Sequence, residues 1–392
     1  MMAVLAVIYI VFISLGLPDS LFGAAWPVIH VEMGVAESFA SVCSVIIGLC
    51  TGSVSFFAGK LIRRFGTAAV TFVSVLVTAV GLLGISFAPN IVCLIAFSVV
   101  LGFGAGAIDT GVNAFVSLHY KAQHMNWLHC FWGVGVTVSP LILSLFLSGD
   151  GSGWRTGYRV IALLEVLIAC FVIFVLRRWN RMEREKQPEQ PAAGGGKSIL
   201  ELLRGRGVLT SILSLGMYSS MEFMVSTWGA TYLVNIYALS PDEAARHISL
   251  YYAGIMLGRL LAGFLALKLS DKALIRCGIG VSFWGILWLL LPLGSLSVWG
   301  LLLIGMGFGP IFPSVLHSVP ARFGAAYAAD LTGYHMSGAY ALGFCVQLIF
   351  GYVASATSFY ILPFVLLGLC VLLFLLNEHT LRLVTGKKER QR

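Results

Sequence analysis

The stretch RWNRMEREKQPEQPAAGGGKSILELLRGR, residues 178–206, is the one long polar segment in a chain of 392 residues. It crowds charges around Pro188, Pro191 and a Gly-Gly-Gly run, a composition that suits a flexible linker. Its last part, Ser198 to Leu203 with Glu201 inside it, is predicted to form a short interfacial helix. On both sides of it the chain is almost continuously apolar. Hydrophobic residues make up 58% and charged residues 11%, where a soluble domain carries about 25% charged residues. Mean hydropathy is +0.92.

Working outward from the linker, six apolar runs precede it, at 3–31, 36–59, 67–87, 91–118, 126–148 and 157–177. Six follow it, at 207–237, 243–267, 273–292, 297–320, 328–353 and 357–377. At about 1.5 Å rise per residue each can cross a hydrocarbon core about 30 Å thick. The fold class expected is therefore an all-α membrane protein. Twelve transmembrane helices fall into two bundles, residues 1–177 and 207–392, joined by the linker 178–206. The runs are apolar on both parities, which excludes a transmembrane β-barrel. Disorder, a secreted disulfide scaffold and an ordinary cytosolic enzyme are excluded by the same composition. The eight cysteines all fall inside apolar runs, without a Cys-x-x-Cys pair, and read as small buried hydrophobes. The first run lacks a basic n-region and is too long for a cleavable signal.

The net charge of +8 does not point to nucleic acid. With the amino terminus inside, 21 of the 25 Lys and Arg residues fall in inside loops and tails, Arg155, Arg159 and Arg246 fall outside, and Arg259 lies within a span. That bias supports both the span count and cytoplasmic termini. No phosphate loop, nucleophile elbow, His pair or Cys cluster is present. An enzyme, a metal site and a cofactor are not expected, and an ion gradient or the solute's own gradient must supply energy. The expected partners are a small-molecule substrate, protons and membrane lipids, for a monomer.

An ionisable residue within a span costs roughly 2.5–3.5 kcal/mol by insertion scales and is a functional candidate by default. Asp19 shares a face with Phe22 and Trp26, an acid over an aromatic stripe that suits a sugar; the alternative is a polar cap or an interhelical hydrogen bond. Asp109 and Asn113 stand one turn apart, and Gly102 and Gly106 extend their stripe so that another helix can come close. A carboxyl there is a candidate to take and release a proton; alternatively it is locked to a hydroxyl or amide. Glu222 lies with Tyr218, Ser226 and Gly229 on one face. His129 and Trp132 share a face toward the inside end, in a cavity or a gate. Arg259 could pair with Glu222 or snorkel inward, so gating or structure is its expected role. Glu165 has no evident partner. Tyr340 and Gln347 recur near one face of span eleven, beside His335, as candidate hydroxyl contacts.

These features resemble the major facilitator superfamily. Gly59-Lys60-Leu61-Ile62-Arg63-Arg64-Phe65-Gly66 is similar to its Gly-x-Leu-x-Asp-Arg-x-Gly loop, with Ile62-Arg63 where the signature carries its acid. Lys60, Arg63 and Arg64 are then gating candidates. Four places resemble the fucose:proton symporter, sugar-transporter-like branch: Gly16-Leu17-Pro18-Asp19, the run Gly104 to Val116 around Asp109-Thr110-Gly111-Val112-Asn113, Tyr218 to Glu222 with Trp228 and Tyr232, and Gly309-Pro310-Ile311-Phe312-Pro313-Ser314. The resemblance implies alternating access, with Asp19 and Asp109 serving proton coupling and sugar binding and Glu222 as their counterpart in the second half. The substrate-lining set is then Asp19, Trp26, Asp109, Asn113, His129, Trp132, Tyr218, Glu222, Tyr340 and Gln347. The expectation is proton-coupled uptake of a small neutral solute such as a monosaccharide across a bacterial cytoplasmic (inner) membrane. The alternatives are a proton-driven exporter of lipophilic or cationic compounds and a non-transporting solute sensor.

Overall fold

The computed structural model describes residues 2–120, 122–147, 152–185, 199–324 and 327–389. The first half of the chain holds α1 (Met2–Met33), α2 (Phe39–Phe65), α3 (Thr67–Phe87), α4 (Ile91–His119), α5 (Ala122–Leu147) and α6 (Gly153–Glu185). The second half holds α7 (Ile199–Leu203), α8 (Val208–Tyr237), α9 (Pro241–Leu265), α10 (Asp271–Leu290), α11 (Gly300–His317), α12 (Val319–Phe323), α13 (Ala328–Ala356) and α14 (Leu362–Glu389). Among the described residues every regular element is helical, as a chain without water in its surroundings requires of its backbone. Eleven helices among those residues are long and apolar enough to cross a membrane. Of the twelve runs read from the sequence, the one on α2 is not among these eleven; its described apolar stretch is Phe39–Ser55.

The end of the sixth span differs from expectation. α6 does not stop at residue 177 but continues to Glu185, with Trp179 fully buried. An indole that large gains about 2 kcal/mol or more from burial, which holds the basic turn in the helix. The expected short helix after the linker is present as α7, one residue shorter than read. Residues 186–198, the middle of the 178–206 linker, lie outside the described residues.

Within the first half α1 packs on α5, α4 on α2 and α3, and α3 on α6. Within the second, α8 packs on α13 and α14, and α11 on α9 and α10. The halves meet where α5 lies on α9, α1 on α8 and α2 on α13. Backbone contact explains several of these pairs. A Cβ at Gly102 would stand 2.5 Å from the Ile47 carbonyl oxygen, and one at Gly106 only 2.3 Å from that of Thr51. The near side of α2 uses the proximity: Thr51 Oγ1 donates to the Gly102 carbonyl at 3.1 Å and Ser55 Oγ to that of Gly106 at 2.8 Å. The glycine stripe beside Asp109 thus seats α2.

The end where α1 begins is termed terminal, and the end bearing residues 34–38 distal. Three hydrogen bonds between the halves lie in the distal half. Asn235 Nδ2 donates to Glu37 Oε1 at 2.9 Å, Ser41 Oγ donates to the Gln347 carbonyl at 3.2 Å, and the hydroxyls of Ser44 and Thr227 meet at 3.4 Å. Trp26 Nε1 donates to the Glu37 carbonyl at 2.8 Å and braces the same closure.

Replacing Gly106 by Leu should wedge α2 from α4 and cost about 1–3 kcal/mol. Gly263→Leu, where a side chain meets nothing within 4 Å, should be neutral. Thermal unfolding of the two purified variants checks this; equal midpoints would show that the α2–α4 contact does not require glycine.

Candidate functional site: a central cluster of carboxyls

Along α1, Gly16, Leu17, Pro18 and Ser20 are buried, and Asp19 alone among them is exposed. An exposed carboxyl in the middle of an otherwise buried helix faces an interior space. Pro18 has no N–H to offer the carbonyl four residues back, so the helix is locally opened beside the acid. Asp19 Oδ2 accepts a hydrogen bond from Trp132 Nε1 at 2.8 Å. The backbone sets this pair: a Cβ at Gly16 would lie 2.4 Å from the Trp132 carbonyl oxygen. Only glycine lets α1 and α5 meet there.

The Arg259 guanidinium lies over the Trp132 ring, 4.5 Å from its centroid. This cation–π contact joins α9 to α5 across the two halves. Arg259 is also within electrostatic reach of Asp109 and of Glu222. The sequence left it between pairing and snorkelling; the structure places it in the centre. Asn113 Nδ2 donates to Asp109 Oδ1 at 2.7 Å and to the Asp109 carbonyl at 2.9 Å, so the two share a face and the acid is held by an amide, the alternative the sequence left open. On α8 the Tyr218 hydroxyl is fully buried beside Glu222 and Arg259 but does not meet either at hydrogen-bond geometry. Tyr340 of α13 is 42% exposed, stacks on Phe223 at 6.0 Å, and lies within electrostatic reach of Asp19, Asp109 and Glu222. Acids and aromatics from both halves therefore converge on one space.

Other candidates lie apart from it. Trp26 is fully buried in the distal closure, and Gln347 is buried there too, its amide Nε2 without a partner. His129 stands closer in: it is half-buried, within electrostatic reach of Arg259, and meets Phe12 edge to face at 5.8 Å. Lys60, Arg63 and Arg64 are exposed at the terminal end. Arg63 and Arg64 occupy the last turn of α2, where the carbonyl end of the helix favours cations. The turn that follows has no acid of its own. Glu183 of α6 supplies one, accepting from Thr67 N at 2.9 Å and Thr67 Oγ1 at 2.5 Å, and so caps α3. Sequence reading missed this because Glu183 stood in the segment assigned to the linker. Glu165, left without a partner, accepts a hydrogen bond from Ser14 Oγ of α1. Among the described residues no cluster of His, Cys, Asp and Glu could hold a metal ion.

The sequence matches the Major Facilitator Superfamily over residues 8–348. The chain belongs to this family. Its family and its apolar helices make it a multi-pass membrane protein. Among curated relatives it is 26% identical over 252 residues to the cis,cis-muconate transport protein of Acinetobacter baylyi, covering 62% of this chain and 59% of that one. It is 28% identical over 234 residues to the glucose/mannose transporter GlcP of Bacillus subtilis, covering 57% and 56%. The chain thus spans somewhat over half the length of these relatives. The crystal structure of a mutant of the nucleoside transporter NupG has the same fold, with a TM-score of 0.74 at 15% identity, over 97% of this chain and 100% of that one.

The exposure of Asp19 predicts its chemistry. In a background whose eight cysteines are replaced by serine, Asp19→Cys should react with a membrane-impermeant maleimide added from the terminal side, and Trp26→Cys should not. Equal labelling of both would mean that the buried and open positions on α1 are wrongly distinguished.

Proposed function

We propose that this carrier couples the uptake of a small neutral polar solute, a monosaccharide by class, to proton entry. It works by alternating access between two bundles of six spans, the α2 run included. The observation that carries the reading is the convergence of Asp19 and Asp109 from the first half and Glu222 from the second on one space, with Asp19 open to it. Ionisable groups at this depth mark ion and substrate pathways. Two relatives point in different directions, one toward hexoses and one toward a dicarboxylate. Charge favours the neutral solute. One arginine faces three carboxyls, so an unprotonated site carries surplus negative charge and disfavours an organic anion. A sugar's hydroxyls suit carboxylates and amides, while its C–H faces suit the rings of Trp132 and Tyr340.

In this cycle Asp109 and Asp19 take up the proton and the solute from outside. Neutralising Asp109 leaves Arg259 to Glu222 and cuts the surplus negative charge from two to one, and the halves rock about the site and release both inside. Lys60, Arg63 and Arg64 act at the inner gate. The carrier is a monomer in a bacterial inner membrane with cytoplasmic termini, in keeping with the Lys and Arg distribution. The aromatic, acidic lining favours one second reading, proton-driven export of organic cations.

Proteoliposomes test both. One pH unit across the membrane is worth about 1.4 kcal/mol, enough for about tenfold accumulation at one proton per solute. The protein should concentrate labelled D-glucose toward that level. Asp109→Asn should retain glucose counterflow but lose uphill accumulation. Uphill accumulation by Asp109→Asn would overturn the coupling assignment, and ethidium extrusion without glucose uptake would favour the exporter.

A further inference from the structure

The cluster described above leaves one buried acid unused. Glu165 lies in the middle of α6, fully buried. Its neighbours one turn away on either side, Ile161, Ala162, Ile168 and Ala169, are buried and apolar. One carboxyl oxygen accepts from Ser14 Oγ; the other, Oε1, has no hydrogen-bond partner. A fixed carboxylate in such a place would be costly to bury with a single hydrogen bond. A group that spends part of the cycle as a neutral acid would not be.

The surroundings connect it to the cavity. α6 packs on α1, α3 and α5. α3 carries no ionisable side chain at all. The ionisable groups of α5, His124, His129 and Cys130, all lie in the terminal half of that helix. α1 presents Ser14, which holds the carboxyl, and Asp19, which is within electrostatic reach of it. Ser14 is also the residue whose carbonyl loses its helical donor to Pro18, four positions on. The turn between Ser14 and Asp19 is therefore a place where α1 offers a carbonyl without its helical donor between the open cavity and the occluded acid.

We propose that Glu165 is a second proton-binding site, an occluded carboxyl that exchanges a proton with Asp19 across the turn of α1 opened by Pro18. The exchange is a plain transfer: the Asp19 carboxyl gives up its proton and becomes carboxylate as the Glu165 carboxylate takes it and becomes neutral. Holding the proton on Glu165 frees Asp19 to bind solute hydroxyls as a carboxylate while the carrier remains loaded. This rests on the proton-coupled reading, but the proton site itself can be tested without any solute.

Infrared difference spectra of the purified protein between acid and alkaline pH read the C=O stretch of protonated carboxyls directly. Glu165→Gln keeps the size of the side chain and its bond to Ser14 but cannot titrate. It should lose one carboxyl band that Asp19→Asn retains, and Ser14→Ala should move that same band by removing its hydrogen bond. In proteoliposomes Glu165→Gln should keep D-glucose counterflow while pH-driven accumulation falls by about tenfold, the worth of the one proton it holds at one pH unit. Spectra of Glu165→Gln and the unmodified protein that superimpose would overturn the proposal, as would full pH-driven accumulation by that variant. Should the unmodified protein show the Glu165 band but move no glucose, the solute assignment fails and the proton site stands.

Discussion

A carboxyl group in the middle of a membrane protein has to be met by something polar, and each of these acids is met differently. Asp19 has the indole N–H of Trp132 and open space. Asp109 has the amide of Asn113, and Glu222 has Arg259 within reach. Glu165 has one serine. Because an unmet charge at this depth costs several kcal/mol, the positions of the helices are constrained by the need to bring these partners together. The superfamily fold supplies the frame; the partners of the carboxyls determine what it can carry.

The joints that bring the partners together are made at backbone distance. Gly16 lets α1 reach α5 beside Trp132, and Gly106 lets α4 reach α2 beside Asp109. In lipid, where apolar surface gives no driving force for association, such close packing and interhelical hydrogen bonds hold helices together. The bonds between the halves in the distal region are few and mostly involve uncharged groups: a serine to a carbonyl, two hydroxyls, and an amide to Glu37. The two neutral bonds contribute about 1 kcal/mol each and the one to Glu37 about 1.5–3 kcal/mol, so the closure can hold one arrangement and still be broken. By contrast, the Arg155 guanidinium ties Glu32 to the carbonyls of Ser86 and Ala88 within the first half. The Arg155 ties lie inside one half, whereas at the centre Arg259 reaches across to Trp132 and Asp109 of the other.

Much of this was legible in the sequence, for definite reasons. Apolar length and the absence of strand alternation gave the helical membrane fold. Asp19, Asp109 and Glu222 stood out because a charge in an apolar run has no innocuous explanation, and the i, i+4 spacing of Asp109 and Asn113 is local enough to fix a contact. Helical periodicity misled at Trp26. It shares a face with Asp19, but seven residues carry it about 10 Å along the axis, into the distal closure. Gln347 stands in the same relation to Tyr340. The bonds Ser14–Glu165, Thr67–Glu183 and Glu37–Asn235 join residues 151, 116 and 198 positions apart. No spacing rule reaches across helices, so these were invisible. Arg259 was ambiguous because the choice between lipid headgroups and a central acid depends on which way its helix is rotated.

The central claim is that carboxyls from two separate halves face one shared space. Paired substitutions Asp19→Cys and Glu222→Cys, in a background without other cysteines, test it with a short bifunctional maleimide. The account predicts that one reagent molecule bridges the two positions and locks the carrier. Single attachment at each position with no bridge formed would contradict it.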